Sequence, residues 1–234
     1  WKTTHFDFHS LHDTILKLDM LGHVDPQALK MMNDLSKFSL YKIPFNDKNV
    51  ISLFSTDKAL KLEHKYMPED NGALGLPEFG TPFVRQMLRE TLPKSFSDLL
   101  IISGLSHGTD VWNNNAQNLI QKNITNLRGV IGCRDDIMTY LISHNIDGHE
   151  AFVIMEAVRK GKQLKPEWET LMREHNVPDY YIDSCNKIKY LFPKGHACAY
   201  VMMALRVGYY KIYYPLEFYA TFFTLRCEQY DIES

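Results

Sequence analysis

Eight His or Asp residues stand within the first 25 positions: His5, Asp7, His9, His12, Asp13, Asp19, His23 and Asp25. The doublet His12-Asp13 invites comparison with metal-dependent phosphohydrolases, where a His-Asp pair on a helix binds two metals with ligands from other helices. Here the doublet falls between two stretches of period-two alternation, so a turn between strands is expected to hold it. Most of these histidines then read as a wet, polar strand face. Asp19 differs. It is a carboxylate among Leu16, Leu18, Met20 and Leu21, followed by Gly22, where backbone can approach a ligand closely. A lone carboxylate holds Mg²⁺ poorly and needs further carboxylates and substrate phosphates. Those partners are not identifiable in the chain.

Three further clusters could bind a phosphorylated ligand. Between Arg159 and Lys211 the chain has ten Lys or Arg against five Asp or Glu, in a protein whose net charge is −2. Within that region, Arg159-Lys160-Gly161-Lys162 suits a polyphosphate: Arg forks two oxygens, Lys adds point charge and Gly admits close backbone. The competing reading is a set of cations placed at a helix C-terminus to meet its dipole. Phe192-Pro193-Lys194-Gly195-His196-Ala197-Cys198-Ala199-Tyr200 opens a helix with small residues at 195, 197 and 199. Phe192, His196 and Tyr200 offer flat surfaces for a base, the last two one helical turn apart; tight helix packing explains the small residues equally well. Ser103-Gly104-Leu105-Ser106-His107-Gly108 reads as a Gly-Ser-rich loop whose backbone N–H groups could cradle phosphate, although it matches no P-loop pattern.

The elements that must position these residues divide the chain into 1–25, 26–82 and 83–234. Alternation over Thr4–Phe8 and Ile15–Leu21 predicts a small antiparallel β element. Asp25-Pro26 predicts a helix with Asp as its N-cap. Residues 36–82 hold Pro44, Pro68, Gly72, Gly75, Pro77, Gly80 and Pro82 and predict an irregular connector with a short helix near Asp47–Phe54. From Phe83 helices dominate: 83–91, 95–102, 114–122, 134–145, 149–160, 166–175, 178–190, 196–213 and 215–226, with Pro166, Pro178 and Pro215 at expected starts. The expected fold is mainly α. With 234 residues and 45% apolar content there is chain enough for a core without staples. Cys133, Cys185, Cys198 and Cys227 form no CxxC clip and read as buried thiols of a reducing, cytoplasmic compartment. The start at Trp1, without Met or a signal-peptide pattern, leads to the expectation of an excised piece. The longest apolar stretch is cut by Arg206, Lys211 and Pro215, so no membrane span is expected.

Taken in order, these segments resemble the bacterial PolC-type (C-family) replicative DNA polymerases, from the end of the palm through the fingers. The similarity is carried by Thr3–Ser10, Leu16–His23, Ile102–Trp112, Ile131–Met138, Val158–Lys162 and Phe192–Ala197. It is collinear over nearly the whole chain and weakest between 36 and 76. Gly195 stands where Ala or Ser is expected, a small-for-small change.

The resemblance implies a DNA-directed DNA polymerase that joins a deoxynucleoside triphosphate to a primer 3′-hydroxyl through two Mg²⁺ ions. It implies that residues 1–25 end the palm sheet, that Asp19 is its third metal-holding carboxylate, and that the other two lie upstream. Arg134, Arg159, Lys160 and Lys162, with Ser103, Gly104 and Ser106, would meet the triphosphate. Phe192, Lys194, Gly195, His196 and Tyr200 would line the nucleotide and nascent base pair. Implied partners are primer-template DNA, the remaining polymerase domains and, through regions outside this chain, the sliding clamp and other replisome subunits. With one carboxylate of three, the chain alone is expected to incorporate no nucleotide. The alternative is a helical module that binds DNA or protein without chemistry, and an upstream Asp-x-Asp on a strand would decide between them.

Overall fold

The computed structural model describes residues 2–3, 5–11, 14–16, 22–62 and 71–226. Those residues are mainly helical. The helices run α1 Phe8–Leu11, α2 Val24–Ser36, α3 Lys48–Ser52, α4 Pro82–Thr91, α5 Phe96–His107, α6 Gln117–Gln121, α7 Arg134–Ser143, α8 Gly148–Arg159, α9 Pro166–Glu174, α10 Asp179–Lys187, α11 Lys194–Tyr213 and α12 Pro215–Arg226. No described helix is long and apolar enough to cross a membrane.

Two expectations near the N-terminus need correction. Among the described residues no strand forms; β pairing is limited to an isolated antiparallel bridge between Thr109 and Tyr190. Phe8–Leu11, expected to end one strand and begin a turn, is a single helical turn. A strand is stable only as part of a ladder, and five alternating residues supply no partner. Asp19, His12-Asp13 and most of the second expected strand lie outside the described residues. Asp25 is not the N-cap of α2: the helix begins at Val24, with His23 before it in extended backbone. The Asp25 carboxylate is buried instead and forms an ion pair with Arg226 at the end of α12. A charge removed from water requires such a partner, and this pair ties the first long helix to the last.

From α4 onward the expected helices form, and their starts have local causes. Thr81 Oγ1 accepts from Val84 N at 3.3 Å with Pro82 in the first turn, and Ser95 Oγ accepts from Asp98 N at 3.2 Å. The last helical turn of α5 contains Ser103–His107, so the predicted Gly-Ser loop is helix instead. Local propensity yields there to burial: Ile102, Ser103, Gly104 and Leu105 are all buried. Between α5 and α6, Trp112–Ala116 forms one wide π turn with a kink at Asn113 and Asn114.

Helix α11 is the axis of the molecule. It buries Ala197, Val201, Ala204, Leu205, Val207, Gly208, Tyr210 and Lys211, and packs against α5, α12, α2 and α3. A Cβ at Gly208 would lie 3.2 Å from Val50 and 3.3 Å from Leu53, so a small residue is what lets α3 approach. The segment expected as an irregular connector also joins this core through Val50, Leu53, Phe54, Ala73, Leu76 and Phe79.

Candidate functional site

The site is organised by a short extended segment, residues 188–193, between α10 and α11. It is stitched on several sides. Thr109 N donates to Tyr190 O at 3.0 Å, Lys189 N donates to Thr109 O at 3.0 Å, Leu191 N donates to Arg159 O at 3.3 Å, and Arg134 N donates to Phe192 O at 3.1 Å. The segment therefore gathers the C-terminal ends of α5 and α8 and the N-terminal ends of α7 and α11. Residues distant in sequence, Ser106, Arg134, Arg159, Phe192 and Lys194, come to one end of the fold.

Gly161 explains part of this geometry. Its φ is +71°, and a Cβ there would lie 2.5 Å from Lys189 O. It stops α8 in left-handed backbone and allows the segment to lie against it. The close approach expected for a phosphate is thus made to backbone.

A cluster of rings forms the apolar half of the site. Phe192 stacks on His196 at 4.7 Å and 22°. His196 meets Tyr200 at 4.7 Å, and His107 lies 4.9 Å from Tyr200 and 5.2 Å from His196. Tyr190 meets the edge of Phe192 at 5.0 Å, and His23 approaches Tyr200 at 6.0 Å. Gly195 is exposed beside this wall, with nothing within 4 Å of where its Cβ would stand. Phe192, Gly195, His196 and Tyr200 stand together here; the helical spacing predicts this for His196 and Tyr200, and Phe192 joins them from the segment before α11. His107 was not singled out as a site residue; on a predicted loop its direction was undefined.

The charged half is more tightly paired than composition implied. Lys194 Nζ lies 2.7 Å from Asp136 Oδ1, and Lys194 N donates to Asp135 Oδ2 at 2.6 Å. Asp136 also accepts from Cys133 N at 2.8 Å and Gly132 N at 3.2 Å, so it caps α7 while holding Lys194. The Asp136 hydrogen bond raises the pKa of Lys194 despite its partial burial. Arg159 NH2 donates to Glu156 at 2.8 Å, its Nε pairs with the same carboxylate, and Lys160 Nζ lies 3.2 Å away. Hydrogen bonds from Arg159 and then Lys160 overcome the cost of burial and pull the Glu156 carboxyl down to about 2. Glu156 lies three and four residues before these cations on one predicted helix, a spacing that favours such ion pairs. Lys162 is exposed.

Of the remaining expected contacts, Ser103 and Gly104 serve packing. Ser103 is 1% exposed and its Oγ donates to Ala197 O at 3.3 Å. A Cβ on Gly104 would lie 2.5 Å from Gly132 O and 2.6 Å from Cys133 Sγ. These two residues set the distance between α5, α7 and α11 and present little surface to a ligand. Ser106 is half-buried, and its Oγ donates to Ser103 O at 2.9 Å beside the His107 ring.

Residues 19–176 match a family model described as the bacterial DNA polymerase III alpha subunit finger domain. Over all 234 residues the chain is 56% identical to the DNA polymerase III PolC-type of Bacillus subtilis and 55% identical to that of Oceanobacillus iheyensis. Over 231 residues it is 57% identical to that of Clostridium perfringens. In each case it spans 16% of the relative's length.

Proposed function

The chain belongs to the bacterial DNA polymerase III alpha subunit finger-domain family, and from that premise we propose that it forms the fingers of a PolC-type replicative polymerase and binds the incoming deoxynucleoside triphosphate. The observation that carries this reading is the convergence on residues 188–193. It sets the ring wall of Phe192, His196 and Tyr200 beside the N-terminal ends of α7 and α11. A base needs a flat apolar surface, and a triphosphate needs donors and positive charge. Both lie at this one end of the molecule.

In this reading the base stacks along Phe192, His196 and Tyr200, while Arg134, Lys194, Arg159, Lys160 and Lys162 face the phosphates. Lys194, Arg159 and Lys160 each have a carboxylate partner within the chain, so a phosphate must compete with Asp136 or Glu156. Arg134 and Lys162 form no ion pair with another described residue, which suits them to first contact. Primer-template DNA, the remaining polymerase domains and the sliding clamp are partners of the whole polypeptide.

Two Mg²⁺ ions would supply charge stabilisation for the in-line displacement. Asp19 is the residue proposed to ligate them. Among the described residues no group of three His, Cys, Asp or Glu side chains could hold a metal. The test is steady-state kinetics of the polymerase carrying this chain. Phe192→Ala and Arg134→Ala are each expected to raise nucleotide KM about tenfold, since base stacking and charge-assisted hydrogen bonds are each worth roughly 1–3 kcal/mol. Unchanged KM in both would place the nucleotide elsewhere.

A further inference from the structure

Glu78 occupies an unusual position. Its φ is +63°, left-handed backbone that is unfavourable for a residue with a side chain. Such conformations persist where surrounding structure over-determines them, and the turn around Glu78 is held firmly. Leu76 N donates to Ala73 O and Gly80 N donates to Leu76 O, both at 2.9 Å. The buried Lys211 ammonium donates to Gly72 O at 2.8 Å and Leu74 O at 2.6 Å. Phe79 is buried with its ring against Phe54 at 5.0 Å. Between buried Pro77 and Phe79, only the Glu78 side chain leaves this part of the turn, and it reaches His107.

Glu78 Oε2 lies 3.5 Å from His107 Nε2. On the other side of the ring, His107 Nδ1 donates to Ser103 O at 2.6 Å. Both nitrogens face acceptors, and only the imidazolium supplies two donors. Burial of the ring opposes its charge; the Glu78 carboxylate and the Ser103 carbonyl outweigh that cost and raise its pKa. The hydrogen bond from His107 outweighs burial to hold the Glu78 carboxyl below its ordinary range. His196 moves the other way: burial, then the charge on His107, favours its neutral form. The titratable groups around His107 are Glu78 from the turn, His196 and Tyr200 from α11 and, beyond Tyr200, His23 before α2.

We propose that Glu78 is a positioning residue for the base-binding wall: it holds His107 as an imidazolium fixed between two acceptors, and that ring orients His196 and Tyr200 for stacking. The proposal rests on the reading of this wall as the nucleotide site. Glu78 itself need not touch the nucleotide. It acts through a ring that meets all three proposed stacking residues: Tyr200 at 4.9 Å, His196 at 5.2 Å and the edge of Phe192 at 5.8 Å.

The experiment is nucleotide KM against pH in the polymerase carrying this chain, for the wild type, Glu78→Gln and Glu78→Asp. In the wild type, KM is expected to rise as His107 loses its proton, above the ordinary histidine range. Glu78→Gln should raise KM about tenfold at neutral pH and move that inflection to lower pH, with primer-template affinity near wild type. Glu78→Asp keeps the charge and tolerates left-handed backbone, so its inflection should fall between the two. A Gln variant with the wild-type inflection overturns the proposal, whatever its KM. Where the Gln variant does not fold, the Asp variant decides: an inflection below wild type supports the role and an unmoved one overturns it. Phe192→Ala separates the two failures. If it raises KM while the Glu78 variants leave the pH profile unmoved, the nucleotide reading stands and the role of Glu78 falls. If Phe192→Ala and Arg134→Ala both leave KM unchanged, both fall.

Discussion

At Gly195 the start of α11 is open, because a Cβ would meet no atom within 4 Å. A methyl group therefore fits, and it removes backbone freedom that the unfolded chain would otherwise have. Gly195→Ala should stabilise the chain by about 0.5–1 kcal/mol, read as a small rise in melting temperature, and leave nucleotide KM unchanged. Leu is a different probe. Its branched side chain would occupy the space beside Phe192 and His196 where a base is proposed to lie. Gly195→Leu should raise nucleotide KM about tenfold while primer-template affinity holds. Equal KM for the Ala and Leu variants would mean that the small residue serves the helix alone. The cations carry a related lesson. Arg159 and Lys160 end a helix and pair with Glu156, so the helix-end reading accounts for their position, and any phosphate role must displace that carboxylate.

Gly161 shows how one residue positions several elements. With φ at +71° and Lys189 O 2.5 Å from a would-be Cβ, it allows the end of α8 and residues 188–193 to touch. Gly161→Ala introduces both backbone strain and a clash with main-chain atoms that cannot swing aside. The expected cost is roughly 1–3 kcal/mol of stability, measured by denaturant unfolding. A kinetic effect should accompany it, because moving residues 188–193 shifts Phe192 and the Arg134 N–H bonded to it. A variant with full stability and unchanged nucleotide KM would show that this contact does not position the site. Helix α5 carries the complementary case. Its Ser103 and Gly104 are conformationally suited to a loop, yet they are helical because α7 and α11 cover them.

Across the molecule, Lys211 links the central helix to the turn that carries Glu78. It is 5% exposed and donates to Gly72 O and Leu74 O. Burial, and then the charge of Arg85, lowers its pKa to about 8 from the ordinary lysine value of 10.5. Between those values the unfolded chain binds a proton that the folded chain does not, so stability contributed by this group rises with pH. Below about 8 the full cost of burying the charge is present. Lys211→Met removes the titration and leaves two carbonyl groups without their donor, at about 1–3 kcal/mol each. Wild type minus variant stability, measured by urea unfolding at pH 7 to 10.5, should therefore increase with pH. A flat or falling difference would mean that Lys211 keeps its proton in the folded state.

The sequence by itself determined the family, the mainly helical class and the helices after Phe83, because blocks such as Phe192–Ala197 and the period of apolar residues are local properties of the chain. His196 and Tyr200 were legible as one surface for the same reason: i and i+4 share a helix face; Phe192 precedes the helix and joins them through packing. The β element was not decided by alternation, since a strand exists only with a neighbour. The Ser103–His107 segment read as a loop because its residues permit one; packing against α7 and α11 made it helix. Only the tertiary structure paired Asp25 with Arg226, Lys194 with Asp136 and Glu78 with His107. Those partners stand 201, 58 and 29 positions apart, and no local pattern states which charges will meet when the intervening chain folds.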